Sequence, residues 1–113
     1  MAKFFALAWA FLIWYLTSLP DLTLAPNAFL ANLFSSSAHL TFFGVQAVLL
    51  KLALSPGGQQ TTLPLALTSF YGIVIELNQT TIPGRSADPF DWLLDTLGAY
   101  VFLAILTARK PRK

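Results

Sequence analysis

The residues of this 113-residue chain that can do chemistry are few, and they fall at matching places in its apolar runs. Asp91 and Asp95 stand four apart near the start of the last run. On a helix they share one face, which Gly98 and Phe102 continue. In the preceding run, Gly72, Glu76 and Gln79 likewise fall on one face. A short turn containing Pro83-Gly84 joins the two runs, so they are expected as antiparallel neighbours whose stripes meet. Gly72 and Gly98 would let the two backbones approach closely. Arg85, in the turn, is the natural cation for these carboxylates, because its planar fork suits bidentate pairing. His39 opens an earlier run at the same end. The expected binding cluster is therefore His39, Glu76, Gln79, Arg85, Asp91 and Asp95, with Asp88 nearer the rim. Ionisable groups inside apolar spans are costly and face the bundle interior or a wet cavity.

A structural role stands beside the binding one. Aspartate at a helix start is favoured by the helix dipole and by capping, which can account for Asp88 and Asp91. A buried Glu76–Arg85–Asp95 network can serve to set helix register, and Gln79 can serve as a helix-end amide. No pattern marks a catalytic residue. The chain lacks cysteine, a GxSxG elbow and a glycine-rich phosphate loop, and nothing singles out Ser35, Ser36 or Ser37 as a nucleophile. One histidine among carboxylates can hold a hard cation, but there is no HExxH and no EF-loop spacing, so no metal and no cofactor are expected. Glu76 with Asp95 or His39 could do acid–base work, but no recognisable catalytic constellation supports an enzyme.

Composition says what must position these residues. Hydrophobic types make up 56% of the chain and charged ones 11%, with a mean hydropathy of +0.64. Soluble domains carry about a quarter charged residues, so a water-soluble globule is excluded. Ten Phe, three Trp and three Tyr exclude disorder. The expected fold is all-α: a polytopic membrane protein with four transmembrane helices in one small bundle, spanning about residues 4–19, 38–54, 63–79 and 89–107. Residues 22–34 are expected as a short interfacial helix or half-span. A span needs roughly 20 residues, which leaves no room for a separate soluble domain. Alternating sides from the N-terminus, Lys3, Lys51, Arg109, Lys110, Arg112 and Lys113 fall on one side, and the acids lie at or near the other. The positive-inside rule then makes both termini cytoplasmic. The basic tail reads as a topology determinant and anionic-lipid anchor, with no nucleic acid as partner.

The stretch Tyr71-Gly72-Ile73-Val74-Ile75-Glu76-Leu77-Asn78-Gln79-Thr80-Thr81-Ile82-Pro83-Gly84-Arg85, continued by Asp88, Asp91, Asp95 and Gly98, resembles the signature of VanZ-like membrane proteins. That pattern reads Glu-x-x-Gln, a Pro-Gly-Arg turn, then Asp, Asn and Gly in the last helix. Glu76, Gln79, Arg85, Asp91 and Gly98 match it. Asp95 stands where Asn is common, which adds a negative charge. Upstream His39 remains, but Ser35-Ser36 replace an Asp-Lys pair and Phe43 replaces a Tyr. The resemblance implies a small helical bundle of the bacterial inner membrane with its polar signature at the extracytoplasmic end. The family is named for an accessory determinant of teicoplanin resistance, so the resemblance implies a cell-envelope role without supplying a reaction. The expected function is a non-catalytic envelope protein whose outer cluster binds a lipid head group or envelope precursor. The alternative is a structural or assembly subunit of a larger membrane complex. Its expected partners are membrane lipids, other integral membrane subunits or further copies of itself.

Overall fold

The structure, a computed structural model, describes residues 1–18, 28–54, 60–82 and 89–108, with the backbone alone over 28–35. These residues form four helices and no strand: α1 (Ala2–Thr17), α2 (Ala28–Leu54), α3 (Thr62–Gln79) and α4 (Pro89–Ala108). Local chemistry explains their ends. Pro89 is the first residue of α4 and Pro64 lies in the first turn of α3, where a missing N–H costs nothing. At the end of α3, the hydroxyls of Thr80 and Thr81 donate to the carbonyls of Leu77 and Asn78, each at 2.7 Å. Carbonyls left over by the helix are satisfied in this way.

Three of the helices run close to the bounds expected from the sequence, and α2 is longer. Residues 28–34 are its opening turns and not a separate interfacial element, while 22–27 lie outside the described residues. Asn32 and Ser35-Ser36-Ser37 read as a boundary because they are polar. They contain no Gly or Pro, however, and Asn and Ser cost a helix only a few tenths of a kcal/mol each.

The order is up-down-up-down. Trp9 of α1 meets Phe42 of α2, Gln46 meets Ala6, and Tyr71 of α3 meets Ala10, so α1 opposes α2 and runs with α3. The most extensive contact is between α2 and α4, which run parallel, whereas α1 packs on α2 and α3. At its tightest, α4 lies directly on the backbone of α2. A Cβ on Gly98 would overlap the backbone of Leu40, and one on Gly44 would enter the ring of Phe102. Two small apolar clusters fill the rest: Ile13, Phe43 and Ile75, with Trp9, Phe42 and Tyr71 against them, and Ala47, Ala99 and Leu103, with Leu65 against them.

The polarity of the bundle is inverted relative to a soluble domain. Its interior holds His39, Gln46, Lys51, Thr68, Glu76, Gln79 and Asp95, all buried, while Phe4, Phe11, Tyr15, Phe70 and Leu77 are each more than 60% exposed. Buried polar groups and extensive exposed apolar surface are the informative departures from the soluble pattern. Lys51, counted with the charges of the cytoplasmic side, is wholly buried in the last turn of α2. Two helices are long and apolar enough to cross a membrane, α2 over Ser36–Leu54 and α4. The other two fall short for physical reasons: α1 has 16 residues, about 24 Å of helix, and the inward face of α3 carries Thr68, Glu76 and Gln79, which lower its mean hydropathy.

The contact at Gly98 generates a test. Gly98→Ala should force α2 and α4 apart at a cost of about 1–3 kcal/mol. The thermal midpoint of the detergent-solubilised protein, followed by gel filtration after heating, should fall by several degrees. Leu97→Ala, on the exposed face one residue away, should leave it nearly unchanged.

Candidate functional site

The site grows from His39, in the middle of α2 and 8% exposed. One turn further on, Phe43 lies parallel to the imidazole, with ring centroids 6.2 Å apart and planes 4° from coplanar. With Phe43 alongside and Asp95 at Nδ1, the two ring nitrogens have defined directions. Nδ1 lies 2.6 Å from Oδ1 of Asp95, and Nε2 lies 3.8 Å from Oδ2 of Asp91. The two aspartates are one turn apart on α4, as their spacing requires, and so bracket the ring between them. Glu76 enters from α3. One donor atom from each of His39, Glu76 and Asp95 lies within 4.8 Å of the others, and all three residues are buried.

Asp95 is the most enclosed member, with no exposed surface. It fits because α3 has no side chain opposite it. A Cβ on Gly72 would stand 3.0 Å from Oδ2 of Asp95 and 3.3 Å from the Trp92 ring. Gly72 therefore makes room for a carboxylate and an indole, and the helix-to-helix backbone contact belongs to Gly98. Neighbouring bonds hold α4 in this register on α3: Trp92 Nε1 donates to the Ser69 carbonyl at 3.0 Å, and the Ser69 and Thr96 hydroxyls are 2.8 Å apart.

Of the residues expected in the cluster, the structure brings together His39, Glu76, Asp91 and Asp95. Gln79 is buried, but its amide donates to the Thr17 carbonyl at 3.4 Å, beside Asn78, which donates to the Ser18 hydroxyl at 2.9 Å. These bonds tie the end of α3 to the end of α1. Arg85 and Asp88 lie outside the described residues. Sequence reasoning missed Gln46, Thr68 and Lys51 as interior polar groups. Two of them carried a signal. Thr68 continues the Gly72–Glu76 face one turn back, and Gln46 is seven residues from His39, on the same face of α2.

A cavity of about 410 Å³ opens between α1, α2 and α3 among Ala6, Leu7, Gln46, Leu50 and Tyr71, and none of the four clustered residues lines it. Two wholly or nearly buried carboxylates against one imidazole make a site suited to cations and to hydrogen-bond donors, since attraction between opposite charges grows as water is excluded. The side chains that could hold a metal are His39, Glu76 and Asp95. A serine or cysteine nucleophile has no place in this set.

The His39–Asp95 bond should be measurable as coupling. His39→Ala and Asp95→Ala should each destabilise the protein by leaving a buried polar partner unsatisfied, at about 1–3 kcal/mol. The double variant should be less destabilised than the sum of the two, by about 0.5–3 kcal/mol. Thermal midpoints of the four proteins in one detergent complete the cycle, and strict additivity would mean that the bond does not form.

A family model described as VanZ/LLP1 matches residues 2–109. No curated protein and no solved structure matches the chain. The matched region begins with the first residue of α1 and ends one residue past α4, so it takes in every helix that builds the site. Within it, Glu76, Asp91 and Gly98, three of the positions that carry the sequence resemblance, lie on α3 and α4, the two helices that pack against α2 around His39. The chain belongs to the VanZ/LLP1 family.

Proposed function

We propose that the chain is a four-span protein of the bacterial inner membrane, with both termini in the cytoplasm. In this reading its polar cluster, at the outer end of the bundle, binds the head group of a lipid or of a lipid-linked envelope precursor. The observation that carries this reading is the burial of His39, Glu76 and Asp95 together, inside helices whose outer faces are apolar. Charges so placed are expensive for a purely structural packet, because well-packed apolar residues would hold the helices as well or better. Asp91 is a quarter exposed and stands in the first turn of α4, so it forms the mouth through which a head group would meet the cluster. Arg85, from the turn that follows α3, supplies the cation for a phosphate in this reading. The excess of carboxylates favours a head group that also carries a cation or glycan hydroxyls.

Support for four spans comes from the inverted polarity and from the sorting of charge. The exposed Phe and Tyr of α1 and the exposed Phe70, Ile73 and Leu77 of α3 turn apolar surface outward from the bundle, and lipid would cover it. Lys3 and the basic tail then lie on the cytoplasmic side.

Topology has a direct test, because the chain has no cysteine of its own. Thr81 and Gln60 are exposed just beyond opposite ends of α3. In intact cells with the outer barrier opened, a membrane-impermeant maleimide should label Thr81→Cys. It should label Gln60→Cys only after lysis. The reverse pattern would invert the orientation, and labelling of both in intact cells would exclude a spanning α3.

Ligand binding is tested by extracting the protein in mild detergent and reading what it retains by native mass spectrometry. The expected result is a monomer or small homo-oligomer carrying a defined lipid, which His39→Ala loses while the protein still accumulates in membranes. Co-elution with stoichiometric protein partners, with the same lipid content in both proteins, would favour the assembly-subunit role instead.

A further inference from the structure

We propose that His39, Glu76 and Asp95 form a binding site for one divalent transition-metal ion, zinc being the best fit. The proposal uses the site already assigned to head-group binding, but it does not require a lipid to be the ligand. Nothing in the spacing of residues 39, 76 and 95 suggests a metal motif, since each comes from a different helix, and the sequence alone led to the expectation of none. The fold brings their donor atoms within 4.8 Å of one another. Donor atoms this close can converge on a single ion.

Three observations point to a cation there. Asp95 has no exposed surface, yet its Oδ2 has no hydrogen-bond partner among the described residues, while Oδ1 meets His39. A fully buried carboxylate oxygen without a partner is rare and calls for a ligand. Charge points the same way: two carboxylates and a neutral imidazole sum with a divalent ion to zero, which is the state a low-dielectric interior favours. The donor set then selects among ions. One imidazole nitrogen with two carboxylate oxygens is the borderline set that suits Zn²⁺ and its neighbours, whereas Mg²⁺ and Ca²⁺ prefer oxygen alone.

The geometry needs side-chain adjustment but no movement of the helices. Tetrahedral ligands about 2.0–2.1 Å from zinc lie about 3.3–3.4 Å from one another, so Nδ1 of His39 and Oδ1 of Asp95, now 2.6 Å apart, part by about 0.7 Å while donors up to 4.8 Å apart close in. Coordination through Nδ1 leaves Nε2–H directed at Asp91, whose Oδ2 is 3.8 Å away. Metal-bound histidines characteristically give their other ring nitrogen to a carboxylate, which fixes the tautomer. Three protein ligands leave a fourth position open, as in zinc sites that accept a further ligand. On the mouth side, near Asp91, that position could take a phosphate or water oxygen. An ion there would turn a cluster rich in acids into one that attracts an anion.

The test uses the whole, tag-free protein in detergent, stripped with EDTA and titrated with Co²⁺ and Zn²⁺ as probes. The expected result is one ion per chain. Co²⁺ should give visible absorption bands of a low-coordinate site, and Zn²⁺ should displace them and raise the thermal midpoint of the wild type. His39→Ala and Asp95→Asn should each weaken Zn²⁺ binding by about 100-fold or more, and Asp91→Asn by the roughly 10–100-fold expected of an outer partner. Absence of Co²⁺ bands together with an unmoved wild-type midpoint overturns the proposal without reference to any variant. Wild-type affinity in folded His39→Ala and Asp95→Asn overturns it equally. Loss of the lipid from His39→Ala without metal binding in the wild type would sink this site and leave head-group binding standing. One bound ion with unchanged lipid content in His39→Ala would do the opposite.

Discussion

The burial of ionisable groups in an apolar bundle is the constraint on which the rest of this structure depends. A carboxylate such as Asp95, with no exposed surface, is tolerable only beside partners that compensate its lost hydration, and the nearest is the imidazole of His39. That bond joins α2 to α4, the pair in most extensive contact. It can form because α4 reaches the backbone of α2 at Gly98, and because α3 leaves space for the carboxylate at Gly72. Two glycines and one hydrogen bond therefore set the spacing of three helices. Glu76 and Asp91 take their places around the imidazole as a consequence.

The remaining helix is held differently. α1 buries only Ala6 and Ile13 and shows most of its aromatic surface to the outside. Side chains that donate to backbone carbonyls fasten it at successive heights: Gln46 to Ala6, Tyr71 to Ala10 and Gln79 to Thr17, with Trp9 of α1 donating in turn to Phe42. A helix carbonyl has a second lone pair after its own hydrogen bond is made, so these bonds leave the helix intact. In an apolar surrounding each also removes a donor that would otherwise be unsatisfied. This division of labour leaves α2, α3 and α4 as the unit that carries the site, with α1 as a brace along α2 and α3.

The polar interior has an order of its own. The two carboxylates and the histidine lie together, the paired hydroxyls of Ser69 and Thr96 stand beside Asp95, Thr68 lies two turns from Glu76 on α3, and Gln46 and Lys51 lie further along α2. Burying Lys51 at the opposite end of α2 from the acids keeps positive and negative charge at separate ends of one bundle. The same sorting of charge is expected from the sequence with alternating helices, where every basic residue except Arg85 falls on the side away from the acids.

Much of this was legible in the residues themselves. Hydrophobic runs broken by Pro, Gly and amide clusters marked four helices, because a long continuous apolar run satisfies its backbone within itself only as a helix. The shared faces of Gly72 with Glu76 and of Asp91 with Asp95 followed from helical periodicity alone, and the expectation that they would meet His39 followed from the alternation of the runs, which puts His39 at the same end. Three matters were decided only by tertiary structure. The start of α2 at Ala28 was hidden because Asn and Ser look like loop residues whether or not a helix runs through them. The separate duties of the glycines, Gly98 against a backbone and Gly72 against a carboxylate, depend on how far each helix is rotated, which periodicity does not specify. The bond from Gln79 to α1 depends on a carbonyl sixty-two residues earlier in the chain. Sequence determines which residues share a helical face, since that is local geometry. Which atoms then come within bonding distance is a property of how the helices pack.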